Sequence, residues 1–489
     1  DSVIRGDFEL TKIDKNTQQA IAGVPFRITS NTTKESHIIM TDENGHYSSN
    51  TAYAAHSYQT NGGQAGNGLW FGQDENGNTV GVDDGVGALP YDTYNIEELQ
   101  CAANEGKYLY SGTFTISRAN YIVNLGNVEN ADIAIQTTAR DEATGTHYAK
   151  ADDVTIIDRV SYIGLQKNKK YRLEGTLMNR TTGRAVTDRD KTPIKAVKEF
   201  TPKDSNGEVE VEFFFDAAGL AGADVVVYEE LYLQDKKLAE HKDINDSGQT
   251  IHFPRIGTRA VSQNTNSEIA GADEEMVIVD TVSYQNLRVG RKYKVTGTLM
   301  DKKTRREVLD EKGSKVEAET EFTAERANGT VDVTFRFPGR NLAGKTLVAF
   351  ESLERDGREY AVHHDITDEP QTVYVPKIGT SVRDNDTGSH IARADSEVTL
   401  VDEVRYENLV PHKEYVLKGT LIDRKTGKAA ADAKGASIEA QVSFIPEEKD
   451  GSTEVVFRFD GRNLAGETLV VYEEMLYGGK RIADHKEDD

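Results

Sequence analysis

The segment "VTIIDRVSY" at Val154–Tyr162 returns as "VIVDTVSY" ending at Tyr284 and as "VTLVDEVRY" ending at Tyr406. "YRLEGTLMNRTTG", "YKVTGTLMDKKTR" and "YVLKGTLIDRKTG" begin at Tyr171, Tyr293 and Tyr415, and Glu at 229, 351 and 473 is followed by His at 241, 363 and 485. Every one of these features recurs at a spacing of 122 residues. A repeat of that length is a whole domain with its own core, and 489 residues exceed what one core fills. The copies run over 132–253, 254–375 and 376–489, after an unrelated unit at 1–131. Within a copy, short alternating apolar segments are separated by Asn, Asp, Gly and Lys turns, the pattern of an antiparallel β-sandwich. The expected fold class is therefore all-β, as tandem β-sandwich domains. The junctions "HFPRIGT" and "YVPKIGT" are short and carry Pro, so the domains are expected end to end as a rod.

Composition narrows the functions open to such a chain. A net charge of −24 opposes nucleic acid and anionic membrane, which both need basic surface. No run of eighteen apolar residues and no basic-then-apolar leader is present, so no membrane insertion is expected and the segment reads as cytosolic or as a mature fragment. A single cysteine, Cys101, excludes an intramolecular disulfide framework.

Alternate residues of a strand share a face. Val154, Ile156, Asp158, Val160 and Tyr162 therefore place an Asp in the middle of an apolar face, and Asp280 and Asp402 repeat the anomaly. Glu229 sits likewise among Val225, Val227 and Leu231, with Glu351 and Glu473 at the matching positions. Each copy thus aims two carboxyls inward. An unpaired buried carboxylate costs several kcal/mol, so the pair is expected to share a proton or find strong partners.

Thr137, Thr258 and Thr380 share parity with flanking apolar residues, and Gln249 and Gln371 align with Ile251/Phe253 and Val373/Val375. An inward hydroxyl on the first strand and an inward carboxamide on the last can meet if those strands are neighbours. With His as base and a carboxyl to polarise the amide and protonate departing ammonia, they would form a Thr–Gln ester, which burial then protects from water. The alternatives are a purely structural polar network, a hydrolase built on the Asp/Glu pairs, and a cation held by Asp, Glu and His. Against the last, the oxygen-rich loop spacing of a calcium hand is missing, and no metal or cofactor is expected.

In order, "IGT" or "IQT", "D-x-V-x-Y", "G-T-L-M/I-D/N-x-x-T", "V-x-Y/F-E" and "H-x-D-I-x-D-x-x-Q-T" resemble the ester-bond immunoglobulin-like domains of Gram-positive surface adhesins, also described as VaFE repeats. The resemblance implies a Thr137–Gln249 bond assisted by Asp158, Glu229 and His241, and a Thr258–Gln371 bond assisted by Asp280, Glu351 and His363. Asp246 and Asp368, between His and Gln, match too and would orient their loops; Thr138 is the weaker alternative to Thr137. The third copy holds Thr380, Asp402, Glu473 and His485, but its Gln would fall beyond Asp489, so a third bond and its closing strand are expected to be missing.

The leading unit, with "RGDFELTKID", "AGVPFRIT", "TDENGHYSS" and "GALPYDTYNIEE", resembles the Cna-B, or SpaA-like, domain of pilins and adhesins. Lys12 shares an inward face with Phe8 and Leu10, and in the family such a Lys forms an isopeptide bond with an Asn on the last strand, aided by a Glu. Glu98 matches the Glu; Asn124, Asn127 and Asn130 are candidates, with Asn130 favoured. The Gly/Asn/Asp-rich segment 52–87 is longer than the family's usual loop, and Trp70 and Phe71 within it either form a ligand-binding loop or cover the domain's edge. Arg5-Gly6-Asp7 reads as a chance tripeptide, and Cys101 as a small hydrophobe just after the Glu98 strand.

These resemblances imply tandem immunoglobulin-like and Cna-B-type domains forming the stalk of a cell-wall-anchored, extracellular Gram-positive adhesin. It would be a monomer, attached to peptidoglycan through a C-terminal region beyond this sequence and meeting an unidentified host or bacterial surface ligand. Cross-linking would be single-turnover and intramolecular, so no enzyme is expected. The rival reading is a ligand-binding adhesin module using the 52–87 loop.

Overall fold

A computed structural model describes residues 4–486. It is all-β, with only single turns of 3₁₀ helix, and it separates into two compact units. One holds the leading domain and most of the first repeat; the other holds the second and third repeats together with 148–152 and 216–223.

In the leading domain, Arg5–Asp14 pairs antiparallel with His46–Ser48 and Leu89–Pro90, and parallel with Ile122–Asn130. A second sheet runs Ser36–Met40, Pro25–Ser30, Asp92–Glu98 and Ser111–Ile116. Phe8, Leu10, Phe26, Ile28, Tyr94, Ile96 and Phe114 fill the space between them. The parallel pairing matters for chemistry: it runs the first and last strands side by side in the same direction, with Asp14 opposite Asn130.

The inserted segment folds back into this domain. Trp70 is 0% exposed and Phe71 1%. The Arg5 guanidinium lies 3.7 Å from the Trp70 ring centroid and donates to the carbonyls of Phe71, Gly87 and Ala88. Trp70 Nε1 donates to Val80 O at 3.0 Å, and Phe71 packs edge-on against Tyr94. The two aromatics are thus core residues and not a ligand surface, because desolvating rings of this size is worth more than displaying them. Arg5 is likewise occupied in holding the loop, and Asp7 is buried, so the Arg-Gly-Asp tripeptide is not displayed.

The repeats are two-sheet sandwiches. In the second, Arg255–Ser262, Met276–Gln285 and Gly329–Phe337 form one sheet. The other runs Arg306–Glu307, Lys292–Asp301, Thr346–Arg355 and Arg358–His363, with Glu317–Thr323 and Thr372–Tyr374 also attached. Opening and closing strands therefore belong to different sheets: Thr372–Tyr374 pairs with Thr346–Arg355, not with the Thr258 strand. This corrects the expectation of neighbouring strands. Gln371 also precedes the closing strand, ending a single 3₁₀ turn at Glu369–Gln371, and Gln249 ends the turn Ser247–Gln249. The first repeat has the same two sheets, around Ala134–Asp141, Asp153–Ile163 and Gly207–Asp216 on one side and Tyr171–Asn179 and Asp224–Leu233 on the other. In the third, Leu469–Tyr477 pairs with Tyr415–Asp423 and Lys480–His485, and among the described residues no closing strand joins it.

Replacing Trp70 by Ala should cost about 3–5 kcal/mol through the cavity it leaves. Denaturant unfolding in an Asn130→Ala background, which removes any isopeptide contribution, measures it; a change below 1 kcal/mol, about the size of a surface substitution, would contradict a core role.

Candidate functional site

Parity put two carboxyls into each core, and the structure places them there: Asp158, Glu229, Asp280, Glu351, Asp402 and Glu473 are all 0% exposed. They arrive from opposite sheets. Asp280 lies on Met276–Gln285 beside the Thr258 strand, while Glu351 lies on Thr346–Arg355 directly opposite His363. Directly opposed residues in an antiparallel pair share a face, so Glu and His are held together by register alone. The same register joins Glu229 to His241 and Glu473 to His485.

In the second repeat Thr258 and Gln371 are in contact. Gln371 Nε2 donates to Thr258 Oγ1 at 2.7 Å and to Glu351 Oε2 at 3.0 Å, with Gln371 fully buried and Thr258 9% exposed. Gln371 Oε1 has no hydrogen-bond partner. In the first repeat Thr137 and Gln249 are buried in the same positions, and both polar atoms of the Gln249 carboxamide are unpartnered. In the third, Thr380 and His485 are half-buried and line an open cavity of about 650 Å³ with Val382, Leu400, Leu469 and Val471.

Burial pushes both carboxyls of each pair up from the ordinary range, and the Glu further because its Asp neighbour repels its charge. The His charge and the Thr hydroxyl oppose the rise at Asp280 and Asp402. One proton therefore resides on Glu while Asp is the first to ionise, which is the state that supplies an acid and a base side by side. His363 Nε2 contacts Asp368 Oδ2 at 2.9 Å, and His241 Nε2 contacts Asp246 Oδ2 at 2.7 Å. These Asp residues thus do more than shape their loop: each orients the imidazole that faces the buried Glu.

Sequence reasoning missed a glycine. Gly175, Gly297 and Gly419 stand directly opposite Glu229, Glu351 and Glu473 on the neighbouring strand. A Cβ at Gly175 would lie 2.4 Å from Phe213 Cζ and 2.5 Å from Glu229 Oε1, and one at Gly419 would lie 2.3 Å from Glu473 Oε1. The missing side chain leaves the volume into which the Glu carboxyl folds against a Phe ring. A glycine in the centre of a strand, at the same place in three copies of "G-T-L", was the available signal.

The leading domain brings Lys12, Glu98 and Asn130 together, all at most 4% exposed. Lys12 Nζ is 2.6 Å from Asn130 Oδ1 and 2.9 Å from Glu98 Oε2, and Asn130 Nδ2 donates to Glu98 Oε1 at 3.1 Å. Asn124 instead donates to Glu9 on the surface, and Asn127 is exposed. A residue not foreseen, Asn104, donates to Glu98 Oε1 at 2.9 Å, and the Tyr110 amide donates to Oε2. Burial lowers the Lys12 pKa against the opposing pull of Glu98. Cys101, half-buried, lies just past the Glu98 strand, where its amide donates to Asn104 Oδ1. Among the described residues no cluster with metal-ligand geometry occurs.

Sandwiches that juxtapose a buried Thr and Gln with Asp, Glu and His define a class, and comparison with protein families agrees: the T-Q ester bond containing domain matches residues 133–253, 254–375 and 376–489. The chain belongs to this family. No curated protein sequence matches it. Among solved structures it is similar to a bacterial adhesin from Mobiluncus mulieris described as containing intramolecular disulfide, isopeptide and ester cross-links. The identity is 16%, over 52% of this chain and 89% of that one, with a TM-score of 0.23. It is also similar to the major pilin SpaD of Corynebacterium diphtheriae, at 12% identity over 76% and 91% of the two chains with a TM-score of 0.22.

Gly175→Ala should destabilise the first repeat by about 1–3 kcal/mol, since the new methyl must displace Glu229 or Phe213. Thermal melting of Gly175→Ala in a Thr137→Ala background measures it; an unchanged melting temperature would show that the site has slack.

Proposed function

We propose that this chain is a load-bearing stalk segment of a cell-surface adhesin, stiffened by autocatalytic ester bonds Thr137–Gln249 and Thr258–Gln371 and by an isopeptide bond Lys12–Asn130. The observation that carries this reading is the Thr258–Gln371–Glu351 contact sealed in the second core. Thr258 Oγ1 attacks Gln371 Cδ. Rotation of the carboxamide turns its oxygen toward protonated Glu351, which polarises it and stabilises the developing oxyanion. Asp280 takes the hydroxyl proton with His363 assisting, the Cδ–Nε2 bond breaks, and that proton leaves on ammonia. Hydroxyl plus amide becomes ester plus ammonia, so atoms balance without a co-reactant. In the leading domain neutral Lys12 Nζ attacks Asn130 Cγ, Glu98 relays the proton, and ammonia is again released.

Because Thr258 lies in one sheet and Gln371 ends the turn that leads into the other, the ester would staple the sandwich across its core and tie the strand where the chain enters the repeat to the segment where it leaves. Closing a loop of this length restricts the unfolded chain by about 5 kcal/mol on the entropic account. Resistance to force and proteolysis, which are governed by rates, gains more. Trp70 and Phe71, the residues on which the ligand-binding alternative rested, are core.

Intact mass under denaturing conditions tests the proposal. The expected mass is short by three ammonia molecules, two from the repeats and one from the leading domain. Thr258→Ala should restore one and leave the fold in place, and a full unmodified mass would overturn the reading.

The isopeptide step depends on pH with a definite sign. Only neutral Lys12 is nucleophilic, and burial lowers its pKa, so the rate should rise with pH until that lowered value is passed and then level off. Refolding from denaturant at about pH 5 and about pH 8, followed by mass, should show slower ammonia loss from this domain at the lower pH.

A further inference from the structure

The junction between the second and third repeats lies wholly within one compact unit. Asn408 has φ +63° and is 8% exposed. Its Nδ2 donates to Lys345 O at 2.9 Å and Val375 O at 3.2 Å, and its Oδ1 accepts from Thr346 Oγ1 at 3.0 Å. All three partners belong to the preceding repeat. Val375 ends the run that begins at Gln371, so the third repeat grips the second at the end of its cross-linked segment. Asn286, with φ +60°, does the same one repeat earlier, donating to Ala223 O at 3.1 Å and Phe253 O at 3.3 Å. Those atoms also share one compact unit.

The equivalent residue in the first repeat is Gly164, with φ +86°. A Cβ there would lie 3.0 Å from the Cβ of Tyr108 in the leading domain. The left-handed backbone is therefore common to the three copies, and Asn or Gly is what it tolerates. Asn occurs where two carbonyls of another repeat, each already accepting a backbone amide, take a second donor; Gly occurs where Tyr108 takes the space.

A second contact lies on the hairpin that carries His. Lys150 Nζ meets Glu359 Oε1 at 2.7 Å, and Asp273 Oδ1 meets Arg481 Nη2 at 3.1 Å. Glu105 of the leading domain pairs with Lys236. The sign reverses from one junction to the next. Placing the Asp273 segment on the Glu359 hairpin would set acid against acid, and placing the Lys150 segment on the Arg481 hairpin would set base against base. Exposed pairs contribute little attraction, but like charges brought together reject a wrong neighbour.

We propose that the Asn-bearing turn and the adjacent His hairpin form a docking surface for the closing end of another ester-bond repeat. In this surface Asn supplies the grip, and the hairpin charge encodes which repeat precedes. The inference does not depend on ester formation. It identifies a repeat-to-repeat interface and its partner chemistry: two backbone carbonyls, each already accepting one amide and offering its second lone pair, and a side chain of charge opposite to that on the hairpin.

The test uses the full chain with Cys101→Ser, Lys312→Cys and Lys434→Cys, spin-labelled to read the distance distribution between the second and third repeats. Asn408→Ala should broaden that distribution, and Asp273→Lys should broaden it through repulsion from Arg481. Adding Arg481→Glu to Asp273→Lys should restore the narrow form. Denatured mass on the same samples counts the bonds and should be unchanged, so failure of the cross-linking proposal is seen separately. A narrow distribution in Asn408→Ala, or no rescue by the charge swap, would overturn the inference.

Discussion

Two carboxyl groups sealed in a β-sandwich core dominate each repeat. Asp280 and Glu351 are fully buried, and among the described residues neither forms an ion pair with Lys or Arg and Asp280 makes no well-formed hydrogen bond. A fold tolerates this only if the pair avoids holding two charges, and sharing one proton achieves that. Around the pair everything is arranged by that need. The facing strand carries Gly297 opposite Glu351, where a side chain would collide with the Phe335 ring. His363 stands opposite Glu351 by register, and Asp368 holds the imidazole. The pair destabilises the core, and in the proposed ester chemistry it would activate the hydroxyl and the amide.

The leading domain solves a related problem with other residues. Lys12 is the buried ion, Glu98 its partner, and Asn130 the amide, with Asn104 and the Tyr110 amide fixing Glu98 from behind. Parallel pairing of first and last strands puts Lys12 and Asn130 within one sheet. In the second repeat Thr258 lies in one sheet and Gln371 at the turn leading into the other. The two geometries share a result: a nucleophile and a carboxamide from opposite ends of a domain meet next to a carboxyl in a water-excluded core, where electrostatic stabilisation is strongest.

Much of the site was legible because a strand's period is two. Inward carboxyls at 158, 229, 280, 351, 402 and 473 follow from counting residues between apolar neighbours, and their burial is complete. Parity did not separate the Asn candidates: Asn124 and Asn130 share it, yet of the two only Asn130 is buried. It also failed where backbone leaves the strand. Gln371 ends a 3₁₀ turn, so its inward direction agrees with parity without being caused by it. Trp70 and Phe71 lie in a segment without regular period, and it takes the tertiary contacts, among them the Arg5 guanidinium stacked on the indole, to show that the segment is drawn into the core.

The amino-acid sequence by itself determined the number of repeats, the all-β class, and which side chains face inward, because these depend on spacing and local alternation. It could not determine which sheet the closing strand joins, since local alternation is the same whether Thr372–Tyr374 pairs with Thr346–Arg355 or with the Thr258 strand more than a hundred positions away. For the same reason Gly297 reads as a weak point in a strand until Glu351 is seen opposite it, and Asn104 reads as a loop residue until it is found behind Glu98. Tertiary structure alone decides these roles, because each belongs to a space enclosed by several strands and not to any one of them.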